Sequence, residues 1–188
     1  MSFPPLAFLL PDLVCAIICA VAVYTDFRTQ RIPNWLTLSG FVFGLVFNTV
    51  LFCLQGGLKI GFMGGFAASF GGSLLLFIVF GVFGLVGFVG MGDAKLMAAV
   101  GALLRWPLAL WALAYVAVIG GLLAVFFALA KGALVVVIKN IFRIGAGLVR
   151  KETKRQHIEL HRIPYALAIF LGSMWAVGAR YFPWLRIL

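Results

Sequence analysis

From Ile60 to Val89 the chain runs for thirty residues without one charged side chain. As straight helix that is ~45 Å at ~1.5 Å per residue, longer than the ~30 Å hydrocarbon core of a bilayer. In lipid a backbone must satisfy its own hydrogen bonds, which leaves helices and closed barrels as spanning structures. The run therefore commits the chain to a bundle of membrane helices, with a tilt, a break or a re-entrant start inside it. Gly57, Gly61 and Gly65 are spaced by four, and Gly81, Gly84, Gly87 and Gly90 by three. Both spacings put a groove on one helix face, and helix packing accounts for most of these glycines.

Four more stretches read as spans: 6–24, 35–54, 107–130 and 163–182. Between the first two lies a polar link, 26–34, in which Pro33 cannot continue a helix and restarts the next one. Residues 55–59, Gln-Gly-Gly-Leu-Lys, form a turn. Lys95 to Leu104 is too short for a full span. The expected fold is all-α: a polytopic membrane protein with about six transmembrane segments, the fourth short. Residues 1–188 would form a single membrane-embedded domain, with 132–162 a basic cytoplasmic or interfacial segment within it. With 64% hydrophobic and 11% charged residues, against ~25% charged in a soluble chain, no soluble core is available. Ala20-Val21-Ala22 resembles a signal-peptide cleavage site, but no basic residue precedes that run, so it reads as a retained helix.

The net charge of +10 raises nucleic acid as a partner, but topology explains it better. With the 26–34 link in the cytoplasm and six alternating segments, eleven of the fifteen basic residues fall on the cytoplasmic side and four outside. That obeys the positive-inside rule. The 150–155 basic cluster fits the anionic inner leaflet rather than nucleic acid. Cys15, Cys19 and Cys53 lie in apolar runs and form no C-x-x-C pair, so they read as core-filling residues. His157 and His161 have a spacing that can hold zinc. Glu159 is not placed as in H-E-x-x-H, however, and the neighbours are basic, so a solvated loop is the better account. No metal or cofactor is expected.

Only five carboxylates occur: Asp12, Asp26, Asp93, Glu152 and Glu159. Asp93 ends the charge-free run within Gly90-Met91-Gly92-Asp93-Ala94-Lys95, and Asp26 ends the first apolar run. A carboxylate at a lipid border is costly to place and is a functional candidate by default. The charge count puts both on one border although neither entered it. Two carboxyls brought within a few ångströms share a proton, one holding it while the other stays charged. That pair can take a proton from water and return one to a leaving amine, which is aspartic-protease chemistry. A lone border Asp is more often a satisfied interfacial residue; a pair on one side tips the balance towards function. Asp12 lies at the opposite face and has no evident role. Gly90 and Gly92 would let substrate backbone approach Asp93. Lys95 lies ~200° round a helix from Asp93 and cannot pair with it intrahelically. It would either steer a substrate carboxylate or snorkel to headgroups.

Gly90-Met91-Gly92-Asp93-Ala94-Lys95-Leu96 resembles the G-x-G-D-x-K-L signature of the type IV prepilin leader peptidases. Asp26 followed by Ile32-Pro33-Asn34 and Leu36-Thr37 is similar to that family's first motif, and Arg162-Ile163-Pro164-Tyr165-Ala166 to its last, although Ala168 stands where a second proline is common. The resemblance implies catalysis by Asp26 and Asp93; Gly90, Gly92 and Lys95 are the expected substrate-binding residues on the reading given above. It also implies a prepilin or pseudopilin substrate, cut at the cytoplasmic border of the inner membrane. The larger members also N-methylate the product and carry a cytoplasmic insert with paired C-x-x-C motifs. Here residues 27–34 alone separate Asp26 from Trp35, which resembles the short, peptidase-only members associated with Flp-type tight-adherence pili. Three rivals remain open. A presenilin-type protease is disfavoured by the absence of a contiguous P-A-L. A proton-coupled transporter is disfavoured because no inverted repeat is visible. A non-catalytic assembly subunit would tolerate Asp→Asn at both positions.

Overall fold

The computed structural model describes residues 5–87, 89–130 and 165–182, and these form helices joined by short links, with no strand among them. A 3-10 turn, Pro5–Phe8, leads into α1, Leu9–Thr29. Next come α2, Asn34–Ile60, and a π-helical stretch, Gly61–Ala67, that runs directly into α3, Ala68–Val86. They are followed by α4, Met91–Leu104, α5, Leu108–Ala130, and α6, Tyr165–Tyr181. Three stretches of the described residues are long and apolar enough to cross a membrane: Leu9–Thr29, Asn34–Val86 and Leu108–Phe126. Their outward side chains are apolar, as at Leu13, Ile17, Val46, Val50 and Leu85, each more than half or about half exposed. In water so continuous an apolar surface would aggregate, whereas in lipid it is the solvated face. The protein is a membrane protein.

The stretch Asn34–Val86 is 53 residues long and is two helices, because Gly57 breaks it with φ 76° and ψ −176°. That conformation is open only to glycine, and the chain reverses there, inside the turn expected at 55–59. The returning π segment packs on the helix it has just left. Gly61 lies on Cys53, and a Cβ at Gly65 would stand 2.6 Å from the Asn48 oxygen and the Thr49 Cα. The three-spaced glycines behave otherwise. Gly87 ends α3 in the left-handed region at φ 90°, Gly90 caps α4, and Gly81 faces open space. Gly84 has a close neighbour, Met91 Sδ at 3.0 Å from an added Cβ, but the set as a whole does not form the groove that its spacing implies. The long apolar run thus breaks between Val86 and Met91.

Two helix limits differ from the sequence reading for a common reason. Hydropathy marks where lipid ends, but a helix stops where its hydrogen bonds are capped. Helix α1 continues through Asp26 to Thr29 and ends at Gln30, whose left-handed backbone (φ 51°) lets its N–H reach the Asp26 carbonyl at 3.0 Å. Helix α4 begins at Met91, ahead of the stretch read as the short segment, because Gly90 (φ −73°, ψ 145°) serves as its N-cap.

Helix α4 is the centre of the bundle. Leu96, Met97, Val100, Leu103 and Leu104 are all fully buried or nearly so. At ~1.5 Å per residue it is only ~20 Å long, too short to bridge the hydrocarbon, so enclosure by longer helices keeps its ends away from lipid. Small residues allow that enclosure. A Cβ on Gly101 would lie 2.5 Å from the Gly72 carbonyl oxygen, and one on Gly44 2.7 Å from the Ala102 backbone. Asn48 of α2 ties the same end with its amide, donating to Ser69 Oγ and the Ala102 carbonyl, both at 3.0 Å, and to the Leu103 carbonyl at 3.3 Å. Cys15 and Cys19 are fully buried and Cys53 partly so, all three free thiols, which bears out their reading as packing residues.

The basic segment 132–162, the His157–His161 pair, the Arg162-Ile163-Pro164 part of the last motif and residues 183–188 lie outside the described residues.

Candidate active site

Asp93 is the third residue of α4, a position whose side chain can reach back over the helix start. The first backbone N–H groups of a helix have no intrahelical partner. Here the Gly90 N–H donates to Asp93 Oδ2 at 3.2 Å, while the Asp93 N–H donates to the Gly90 carbonyl at 3.0 Å. The carboxylate is buried, at 9% exposure. A Cβ at Gly90 would stand 3.1 Å from Asp93 Oδ2, so any side chain there would press on the carboxylate.

Asp26 is half-buried in the last turn of α1. Its surroundings look like a membrane–water border. Arg28 lies over the ring of Tyr24 at 5.6 Å, and Tyr24, Phe27 and Trp35 are all well exposed. Aromatic and basic side chains concentrate at such interfaces.

The two motifs meet although they are far apart in sequence. A Cβ on Gly92 would lie 3.4 Å from Ile32 Cβ, so the I-P-N isoleucine packs on the second glycine of G-x-G-D. Lys95 Nζ donates to Asn34 Oδ1 at 2.9 Å. The link that follows Asp26 is therefore held against the first turn of the helix that carries Asp93. Sequence reading gave Lys95 a substrate or a headgroup as partner. The Asn34 contact was not visible there, since 61 residues separate the pair and no spacing rule links them.

Tyr165, the described end of the third motif, opens α6 on the same side. Its ring meets Phe80 edge-on at 5.9 Å, its hydroxyl sits against Gly120 of α5, and it is close enough to Asp93 for the two to interact electrostatically. Tyr165 was seen in the sequence only as part of a motif; its proximity to Asp93 depends on how α6 docks.

Asp12 is placed at the other end of α4, as expected, and acquires partners. Arg180 Nη1 donates to both its oxygens, at 2.9 and 2.7 Å, and the Tyr181 hydroxyl donates to Oδ2 at 2.8 Å. A cavity of about 300 Å³ opens at this end too, bordered by Arg105, Trp106, Trp111, Tyr115 and Arg180. It is remote from Asp93.

The junction has a direct test. Disulfides form across Cβ separations of ~3.5–4.5 Å, close to the Ile32–Gly92 spacing. In a chain with Cys15, Cys19 and Cys53 replaced by alanine, Ile32→Cys with Gly92→Cys is expected to oxidise readily. PEG-maleimide labelling after denaturation would then find no free thiol. Two labelled thiols after mild oxidation would show that the motifs do not meet.

A sequence profile of the Type IV leader peptidase family matches residues 13–125. The match takes in Asp26, the I-P-N motif and G-x-G-D, and ends before the last motif. No curated protein and no solved structure gives a significant match.

Proposed function

The chain belongs to the type IV leader peptidase family, and from that membership we propose that it is a membrane-embedded aspartic endopeptidase that removes the leader of prepilin-like proteins. The observation that carries the proposal is the junction of the two aspartate-bearing segments, Ile32 on Gly92 and Asn34 on Lys95. Asp26 and Asp93 act as a dyad sharing one proton. The ionised member takes a proton from water, which attacks the scissile carbonyl; the protonated member polarises that carbonyl and then protonates the leaving amine. Each turnover returns the proton to the pair, so the dyad is regenerated without a cofactor.

The spans number six, counting the short α4, and Asp26 and Asp93 open to the cytoplasmic border of the inner membrane. The aromatic and basic rim of Tyr24, Phe27, Arg28 and Trp35 supports that placement. The substrate's apolar helix lies among the spans with its scissile bond at the rim. With residues 27–34 alone between Asp26 and Trp35 and no C-x-x-C in the chain, N-methylation is not part of the activity.

The reading is tested by reconstituting the chain with a prepilin or pseudopilin and measuring the mass of the new N-terminus. A single cut at the leader boundary and an unmethylated product, even with S-adenosylmethionine present, is the expected outcome. A methylated product would overturn the peptidase-only assignment. No cleavage of any of several prepilins would favour the transporter or assembly-subunit reading.

A further inference from the structure

We propose that Lys95 is a positioning residue: its hydrogen bond to Asn34 locks the α1–α2 link onto the first turn of α4, and so sets where the Asp26 helix end stands relative to Asp93. The inference rests on the proposed dyad, and it reassigns Lys95 and Gly92 from substrate binding to assembly of the site.

The junction has two points, and their spacings match. Pro33 holds the link extended, at φ −63° and ψ 133°. In extended chain Ile32 and Asn34 point to the same side, ~6–7 Å apart. Gly92 and Lys95 are three residues apart on α4, which places them on one helix face at ~5 Å rise. One contact alone, the apolar Ile32–Gly92 touch, would leave the link free to pivot about α4. The second, polar contact removes that freedom.

Asn34 is itself held. Its carbonyl accepts from Thr37 Oγ1 at 3.1 Å, and the Pro33 carbonyl accepts from the Leu36 N–H at 3.2 Å. The first turn of α2 is thus closed on itself, and the Asn34 amide oxygen is the group it offers to α4. An ammonium donor makes that bond charge-assisted and stronger than a neutral one. Lys95 is exposed, so the lock sits at the surface of the bundle, where a long cationic side chain can keep its charged head solvated.

A positioning role has a signature that substrate binding lacks. In prepilin cleavage by the full-length reconstituted chain, Lys95→Met and Asn34→Ala are each expected to lower kcat by about 10- to 100-fold, the cost of ångström-scale misplacement, with KM changed by less than about threefold. Because both remove the same contact, the double variant should be no worse than the poorer single. Asn34→Asp keeps the acceptor oxygen and should stay within about threefold of wild type. A rise in KM with kcat unchanged, or fully additive losses, would overturn the proposal and return Lys95 to substrate binding. A second readout needs no peptidase activity. Disulfide formation in the Ile32→Cys, Gly92→Cys chain should slow by at least about tenfold when Lys95→Met is added; an unchanged rate would show that no lock exists. Should the chain cut no prepilin, the oxidation rate decides this inference while the proposed function fails separately.

Discussion

Asp93→Asn is expected to lower prepilin cleavage by at least about a thousandfold, and Asp26→Asn by a similar factor, with both variants inserting into the membrane like wild type. Asparagine has the size of aspartate and keeps one oxygen to accept the Gly90 N–H, so the start of α4 stays capped. What it loses is the capacity to hold and pass a proton. General acid–base groups contribute typically 10²–10⁴-fold each. Residues that work as a unit do not add, so the double Asp→Asn variant should be about as inactive as either single. The measurement is the mass of the pilin N-terminus after timed incubation, with far-UV circular dichroism and gel filtration confirming the fold. Full cleavage by either variant would remove the dyad and leave the family membership standing with another mechanism. Loss in one variant alone would leave a single essential carboxylate and place the second acid elsewhere, with Tyr165, which interacts electrostatically with Asp93, as the candidate.

The site was legible because its constraints are local. A carboxylate beside glycines at the end of a charge-free run can be seen in a window of ten residues, and so can a proline that restarts a helix. The reversal at 55–59 was legible in the same way and is realised by Gly57. What sequence did not show is whatever depends on docking. Asp12 and Arg180 are 168 residues apart, and α6 had to be packed against α1 before either could be assigned a partner. The helix ends around Asp26 and Asp93 were misplaced because apolarity stops at the lipid border while capping by Gln30 and Gly90 decides the backbone. The glycines at 81, 84, 87 and 90 show the limit of spacing as a signal. Three-residue intervals suit a packing groove, yet two of the four are backbone caps.

Asp12→Ala is expected to act on stability and not on turnover. Its carboxylate is 4% exposed and binds Arg180, itself 14% exposed, through both oxygens. Removing one partner of a buried pair leaves the other charge without compensation, at a cost of about 3–5 kcal/mol. For a chain of this size that corresponds to an apparent melting temperature lower by about 10 °C. The Tyr181 hydroxyl loses its acceptor at the same time, and Arg180 Nη2, 3.5 Å from the Leu104 carbonyl, is left with too little negative charge to hold α6 against the end of α4. Replacing both partners by apolar residues, Asp12→Leu with Arg180→Met, should recover at least half of the loss, since no orphaned charge remains. The contrast with Asp93 is the informative part. Both are buried carboxylates at opposite ends of one bundle, but Asp12 is bound through both oxygens by a guanidinium, whereas Asp93 accepts from the backbone N–H of Gly90, where a side chain would press on the carboxylate. Below its melting temperature Asp12→Ala should therefore keep kcat within about threefold of wild type, a bound taken from its distance from Asp93 along α4, ~16 Å at ~1.5 Å per residue. A loss of kcat without a shift in melting would instead bring Asp12 into the reaction, and the single-border dyad would have to be abandoned.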